Sequence, residues 1–197
     1  MQAVVHAPRG RLESDHTLLY LHGAGGFGTG LAGLYEYPDL PSLLREGLET
    51  GRPILMPYGE TGPEWDVDRL ALLLDAFAAQ RGHVGCRYDV VGYSRGGNGA
   101  YRLAARDTRR VRSVTAVAAR ADVALAGRLA GLPVMIGHGQ HDDRVPVDEA
   151  RRMHEALRPY AKPAVLKLVQ GDHFIIERLW RDGTIVDWLR TLAPPDR

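Results

Sequence analysis

An α/β fold, a single domain built on a doubly wound, mostly parallel open sheet, is what this sequence predicts. Three observations carry the prediction. Strand-like and helix-like segments alternate along the chain. Several strand-like segments, such as Thr17–Leu21 and Tyr88–Val91, carry apolar runs, as strands covered on both faces do. Stretches rich in glycine, histidine and aspartate follow those strands, at the carboxyl ends where open parallel sheets bind ligands. The 197 residues suit one domain, residues 1–197, with a sizeable core.

Val4–His6 reads as a short edge strand and Ala7–Asp15 as a turn-rich connection. Thr17–Leu21 is the first strong strand and ends in His22-Gly23-Ala24-Gly25-Gly26. Phe27–Asp39 reads as a loop. Pro41–Glu49 has helical periodicity and is expected to stop at Gly51. Pro53–Met56 is a strand and Tyr58–Glu64 a loop. Asp66 can cap a helix to about Ala79, with Leu70, Leu73, Leu74 and Phe77 on one face. Tyr88–Val91 is a strand and Gly97–Ala105 a helix. Val111–Val117 is a strand, Asp122–Leu129 a short helix, Val134–Gly137 a strand and His138–Val145 a loop. Val147–Leu157 is a helix that Pro146 helps to start. Val165–Val169 is the last strand, and one helix is expected over Ile176–Leu192.

A formal charge of +1 gives no reason to expect nucleic acid as a partner. The single cysteine, Cys86, allows no internal disulfide. No apolar run reaches transmembrane length and the start does not read as a signal peptide, so no membrane partner and a cytoplasmic location are expected. Arg109, Arg110, Arg112, Arg151 and Arg152 read most simply as solvated faces.

Gly92-Tyr93-Ser94-Arg95-Gly96 places a serine between a strand and a helix. Small residues two before and two after it allow the sharp turn that lifts its hydroxyl above the sheet. A serine hydroxyl needs a base, and the base needs an anionic partner. His173, after the last strand, is the candidate base. His6, His16 and His83 lie in connections and His154 in a helix, whereas His22, His138 and His141 also stand at strand ends. The acid is expected from the loop after the preceding strand, where Asp142 and Asp143 are neighbours; only one can face the histidine, and the other pairs Arg144 or caps the next helix. Backbone N–H groups of Arg95 and Ala24 are the expected oxyanion donors. A nucleotide site is disfavoured, because Gly23–Gly28 has no Walker lysine and no acidic residue ends the next strand. His138, His141, Asp142 and Asp143 could instead hold a metal, an alternative that leaves the serine turn unexplained. No metal and no cofactor are expected.

These segments resemble the α/β-hydrolases of the carboxylesterase and predicted-peptidase (serine esterase) type. Leu18–Gly26 is similar to the oxyanion strand and turn, Val90–Arg106 to the elbow and its helix, Gly137–Pro146 to the acid loop and Gly171–His173 to the histidine loop. The family's acid commonly stands four positions before the proline of that loop, which is Asp142. The resemblance implies Ser94 as nucleophile, Asp142 as orienting acid and His173 as base, acting on an ester through an acyl-enzyme. Thioester, lactone or peptide substrates are variants of the same chemistry, and a binding protein without turnover is the other use of the scaffold. The chain departs from the family in its short N-terminal strand, in Arg95 after the nucleophile and in having no room for a large cap between Val117 and Pro133. Phe27, Tyr58 and Trp65, with Leu31, Leu34 and Tyr35, are expected to line an apolar pocket for a small or medium acyl group. Arg95, Arg120 and Arg144 are expected near strand ends, where they could bind an anionic group of the small-molecule substrate.

Overall fold

A computed structural model describes residues 1–9, 16–60, 62–81 and 86–192. His83 and most of the Ala7–Asp15 connection lie outside them. Seven strands form one sheet: β1 (Ala3–His6), β2 (Leu18–Leu21), β3 (Ile54–Pro57), β4 (Tyr88–Tyr93), β5 (Val111–Val117), β6 (Val134–Gly139) and β7 (Ala164–Val169). Their order is β1-β3-β2-β4-β5-β6-β7. Only β1 runs antiparallel, against β3. The helices are α1 (Gly30–Gly33), α2 (Leu40–Arg45), α3 (Val67–Gln80), α4 (Arg95–Arg106), α5 (Val147–Leu157), α6 (Ile176–Arg181) and α7 (Thr184–Thr191). Single-turn 3-10 segments cover Ala24–Gly26, and a longer one covers Val123–Leu129.

The alternation of side chains along the strands builds two cores. Leu19, Leu21 and Val90 pack with Leu70 of α3, Leu103 of α4 and Met153 of α5. Leu18, Tyr20 and Val91 face the other way, toward Leu43 of α2, Trp180 of α6 and Ile185 of α7. Because successive strand residues point to opposite faces, helices must cover both. The fold is therefore the doubly wound, mostly parallel α/β sheet that the sequence predicts, with no cap domain among the described residues. Asp66 caps α3 as expected, accepting from the N–H groups of Asp68 at 3.1 Å and Arg69 at 3.0 Å.

Four expectations need correction. The Phe27–Asp39 loop contains α1. Helix α2 ends at Arg45, short of Glu49, because the chain folds back and the Leu48 N–H bonds to the Leu43 carbonyl at 2.9 Å. The last helix is two: Gly183, at φ 81°, takes a left-handed conformation that a helix cannot contain, and α7 starts afresh after it. Arg112 is buried rather than solvated. It pairs with Asp89, which is itself fully buried and also holds Arg52 at 2.7 Å and the Ser113 hydroxyl. This cluster lies near the starts of β4 and β5, away from the carboxyl ends. Its pattern hides in the sequence because Arg112 sits among other arginines.

Removing one member of a buried ionic group leaves the others desolvated without compensation. Asp89→Ala is expected to cost about 3–5 kcal/mol of folding stability, read from urea denaturation. An unchanged midpoint would show that Arg52 and Arg112 find other acceptors.

Candidate active site

The turn after β4 is a steric construction. A Cβ on Gly92 would overlap the Gly96 carbonyl, and one on Gly96 would overlap the Leu21 carbonyl at the end of β2. With both glycines, α4 can begin at once, at Arg95, two residues earlier than the expected Gly97. Ser94 between strand and helix has φ 51° and ψ −116°, a conformation costly for a residue with a Cβ. Its N–H bonds to the Val117 carbonyl at 2.7 Å and its carbonyl accepts from Gly97 N–H at 2.9 Å, which hold it there.

Three loops meet over this turn. His173 follows β7, and its Nε2 stands 3.0 Å from the Ser94 Oγ. Its Nδ1 donates to Asp142 Oδ2 at 2.8 Å, from the loop after β6. His173 is 4 % exposed, so its ring is shielded from bulk water. Asp142 is also held by the N–H groups of Arg144 at 2.9 Å and Val145 at 2.8 Å, both on Oδ1. Burial pushes the Asp142 carboxyl upward, but the bonds from Val145, His173 and Arg144 outweigh it and hold the group below the usual carboxylate range. Asp143, the other candidate acid, is exposed and makes no contact with His173. The acid and histidine loops cross so closely that a Cβ on Gly139 would overlap the Asp172 carbonyl. His141 N–H bonds to the Gly171 carbonyl at 2.9 Å, tying the same two loops again.

A cavity of about 510 Å³ opens over Ser94 and His173. Ala24 and Arg95 both line it, each as the first residue of a helical turn, whose N–H has no intrahelical acceptor. The turn carrying Ala24 is braced by His22. The His22 Nδ1–H donates to the Gly23 carbonyl at 2.7 Å and its Nε2 accepts from Gly59 N–H at 3.1 Å. Burial lowers the His22 pKa to about 4, helped by the charge of Arg95 and opposed by the bond to Gly23. The ring is therefore neutral at neutral pH, which is what lets Nε2 accept.

Phe27, Tyr58 and Trp65, expected to line the pocket, do not. Trp65 is 2 % exposed and packs on His22 and Phe27, with its Nε1–H on the His22 carbonyl. The Tyr58 hydroxyl accepts from Gly30 N–H at 2.7 Å and so pins the α1 loop. Phe27 lies between His22, Trp65 and the Arg95 guanidinium, which sits 4.8 Å above its ring. These aromatics pack the loops down behind the site. Leu31 and Tyr35 also miss the cavity, whereas Leu34 lines it. Its apolar wall comes instead from Leu34, Tyr37, Tyr93, Phe174 and Ile176. Tyr93 and Phe174 are direct chain neighbours of Ser94 and His173, a signal the sequence offers. Asp39 also lines the cavity; desolvation pushes its carboxyl up to about 7, against the bond from Leu40 N–H. Tyr20 donates to it from below.

Arg95, Arg120 and Arg144 all line the cavity. Arg144 stacks 4.7 Å from the centre of the Phe174 ring, and Arg95 reaches the Gly62 carbonyl at 3.3 Å. Among the described residues none of the three is ion-paired. The four residues considered for a metal do not converge. His141 is exposed and bonds Gln170 at 2.9 Å, whereas His138 is fully buried and points its Nε2 at the Val145 carbonyl, 2.9 Å away, and at Asp142 Oδ2, 3.2 Å away. Among the described residues no group of three or more histidine, cysteine or acidic side chains is placed to hold a metal ion. No helix among them is long and apolar enough to cross a membrane.

A mostly parallel seven-stranded sheet with a strained serine between strand and helix defines an α/β-hydrolase. The chain belongs to the dienelactone hydrolase family, whose model matches residues 41–174. No curated protein matches it in sequence. Its fold is similar to that of a thermostable esterase, with a TM-score of 0.71 and 15% identity, over 95% of this chain and 58% of that one. The chain thus spans less than two thirds of that esterase. It is also similar to a Paleococcus ferrophilus monoacylglycerol lipase (TM-score 0.67, 16% identity, 98% of this chain and 100% of that one). A Zea mays acyl-protein thioesterase 2 is a further structural neighbour (TM-score 0.65, 18% identity, 96% and 97% covered).

The lowered His22 pKa makes folding acid-sensitive. Between about 6.5 and about 4 the unfolded chain binds a proton that the folded chain refuses, so stability falls as pH drops through that window. Between pH 7 and pH 5, wild type is expected to lose about 2 kcal/mol more than His22→Gln, by linkage. Parallel denaturation curves at the two pH values would contradict it.

Proposed function

We propose that the protein is a serine hydrolase that cleaves a small carboxylic ester through an acyl-enzyme on Ser94. The observation that carries this reading is the unbroken series of contacts from the Ser94 hydroxyl through His173 to Asp142, at the wall of an open cavity. His173 Nε2 takes the hydroxyl proton as Oγ attacks the ester carbonyl. Asp142 holds the ring with its hydrogen on Nδ1 and offsets the positive charge that develops. The N–H groups of Ala24 and Arg95 bind the oxyanion of the tetrahedral intermediate. On its collapse His173 returns the proton to the leaving alcohol. Water, deprotonated by the same ring, then attacks the acyl-enzyme and releases the acid.

The cavity also argues for the substrate's charge. Among the described residues, three guanidinium groups with no ion pair line one cavity, with apolar side chains, Asp39 and Glu64 around them. An acyl or alcohol part carrying a carboxylate would be drawn to them, and its apolar body would pack on Leu34, Phe174 and Ile176. A cavity of about 510 Å³ has room for a small or medium acyl group.

Labelling with a fluorophosphonate is expected in wild type and absent in Ser94→Ala. Folded wild type that takes no label would favour a binding protein, and hydrolysis that survives Ser94→Ala but is lost with a chelator would favour the metal alternative. His173→Ala is expected to lower kcat by about 10³-fold or more; a near-normal rate would mean that another base serves Ser94. Because a protonated imidazole cannot accept the serine proton, kcat/KM falls on the acid side of its profile. For substrate charge, a p-nitrophenyl hemiester with a free carboxylate is expected to be preferred by about tenfold over its uncharged analogue, as charge-assisted pairing implies. The preference shrinks in Arg120→Gln, Arg144→Gln or high salt. Equal rates for the two esters in all these proteins would remove the arginines from recognition.

A further inference from the structure

We propose that His138 is a positioning residue that sets the strength of the catalytic base, by sharing the negative charge of Asp142 with His173. This rests on the serine-hydrolase reading above. His138 ends β6 and is fully buried. Its Nε2 lies 2.9 Å from the Val145 carbonyl and 3.2 Å from Asp142 Oδ2. Both neighbours are acceptors, so the hydrogen of the ring is on Nε2; it is given to the Val145 carbonyl, and the Asp142 carboxylate lies beside the same nitrogen. The other nitrogen, Nδ1, is buried and meets no hydrogen-bond partner among the described residues. A hydrogen there would be a buried donor with nothing to satisfy it, which fixes the tautomer.

Asp142 Oδ2 therefore sits between two imidazoles. His173 Nδ1–H bonds it from the cavity side at 2.8 Å, and His138 Nε2 lies 3.2 Å away on the interior side. Oδ1 takes the N–H groups of Arg144 and Val145. Three donors converge on one carboxylate with His138 Nε2 close beside it, and Val145 both gives a bond to Asp142 and receives one from His138. Such a closed ring leaves Asp142 no freedom to turn away. It also spreads the carboxylate charge. A carboxylate that gives part of its charge to one donor attracts another less strongly. His138 thus weakens the hold of Asp142 on the imidazolium form of His173.

The titratable and charged groups facing this assembly come from several elements. Tyr93 at the end of β4 donates its hydroxyl to the His173 carbonyl at 3.3 Å, and burial keeps that phenol neutral. Asp39 before α2, Asp172 beside His173 and Arg144 act on Tyr93 from around the cavity. Arg95 faces the cavity from α4. All of them are unchanged when only His138 is replaced, so they cancel in a comparison of variants.

The test compares wild type, His138→Leu and His138→Gln, each titrated with a fluorophosphonate so that kcat is expressed per labelled serine. In His138→Leu the acid limb of kcat/KM is expected to move up by about half a pH unit, with kcat on the plateau and KM little changed. His138→Gln, whose amide can donate from a similar distance, is expected to return the limb toward the wild-type position. A role confined to bracing the loop would lower the melting temperature and the fraction of sites that label, with the limb unmoved, and would overturn the proposal. Histidine 15N NMR of the wild type supplies a test that no folding defect can mask. It is expected to show the His138 hydrogen on Nε2, with a resonance that shifts when a fluorophosphonate adduct on Ser94 traps His173 as imidazolium. A hydrogen on Nδ1, or a resonance indifferent to the adduct, would overturn it. Wild type that takes no label at all would instead overturn the serine reading, and the role of His138 with it.

Discussion

The site depends on one close approach, where the backbone of Gly96 lies against the carbonyl of Leu21. No side chain fits between the elbow and the end of β2. This contact brings the first turn of α4 over the neighbouring strand, and with it the N–H of Arg95 toward the turn that carries Ala24. It is made possible by a strained serine, of a kind that costs about 1–3 kcal/mol and persists only where its surroundings over-determine it. The surroundings are visible. The bond from Ser94 to Val117 lies beside one from Ala118 to the Gly137 carbonyl at 2.8 Å. Ala118 also has φ 51°, so two adjacent strands both end on a residue in an uncommon conformation. Strain at these strand ends gives the chain the abrupt turns that point side chains into the cavity.

Charge is distributed in the same spirit at both ends of the sheet. Away from the cavity, Asp89 is buried and supplied with two guanidinium groups and a hydroxyl. Beside the cavity, the Asp142 carboxylate is buried and supplied with backbone N–H groups and the His173 imidazole, donors that carry no fixed positive charge. The first arrangement satisfies a carboxylate permanently. The second satisfies it while leaving it responsive to a charge that appears on His173. The fixed positive charges of this end, Arg95, Arg120 and Arg144, line the cavity, and among the described residues none of them is ion-paired.

The sheet was legible because apolar runs and the glycine turns between them follow from strong, local rules. So were the three residues that meet at the elbow. Ser94, Asp142 and His173 each stand just past a strand, and parallel strands bring such positions to one edge whatever lies between them. What stayed hidden depends on distance in space. Trp65 and Tyr58 looked like pocket residues because aromatics in loops look alike; only packing shows that one fills the space behind His22 and the other pins α1. Arg112 looked like surface because its partner, Asp89, is on another strand. The break at Gly183 was missed because the apolar periodicity continues across it. His138 drew attention only as a possible ligand, since nothing local says that its ring turns inward to Asp142.

One crossing has a wider meaning. Gly139 and Asp172 lie backbone against backbone, and β6 pairs with β7 up to Gly139 and Val169. The loops that carry Asp142 and His173 are thus fastened to each other directly, whereas Ser94 comes from the separate turn after β4.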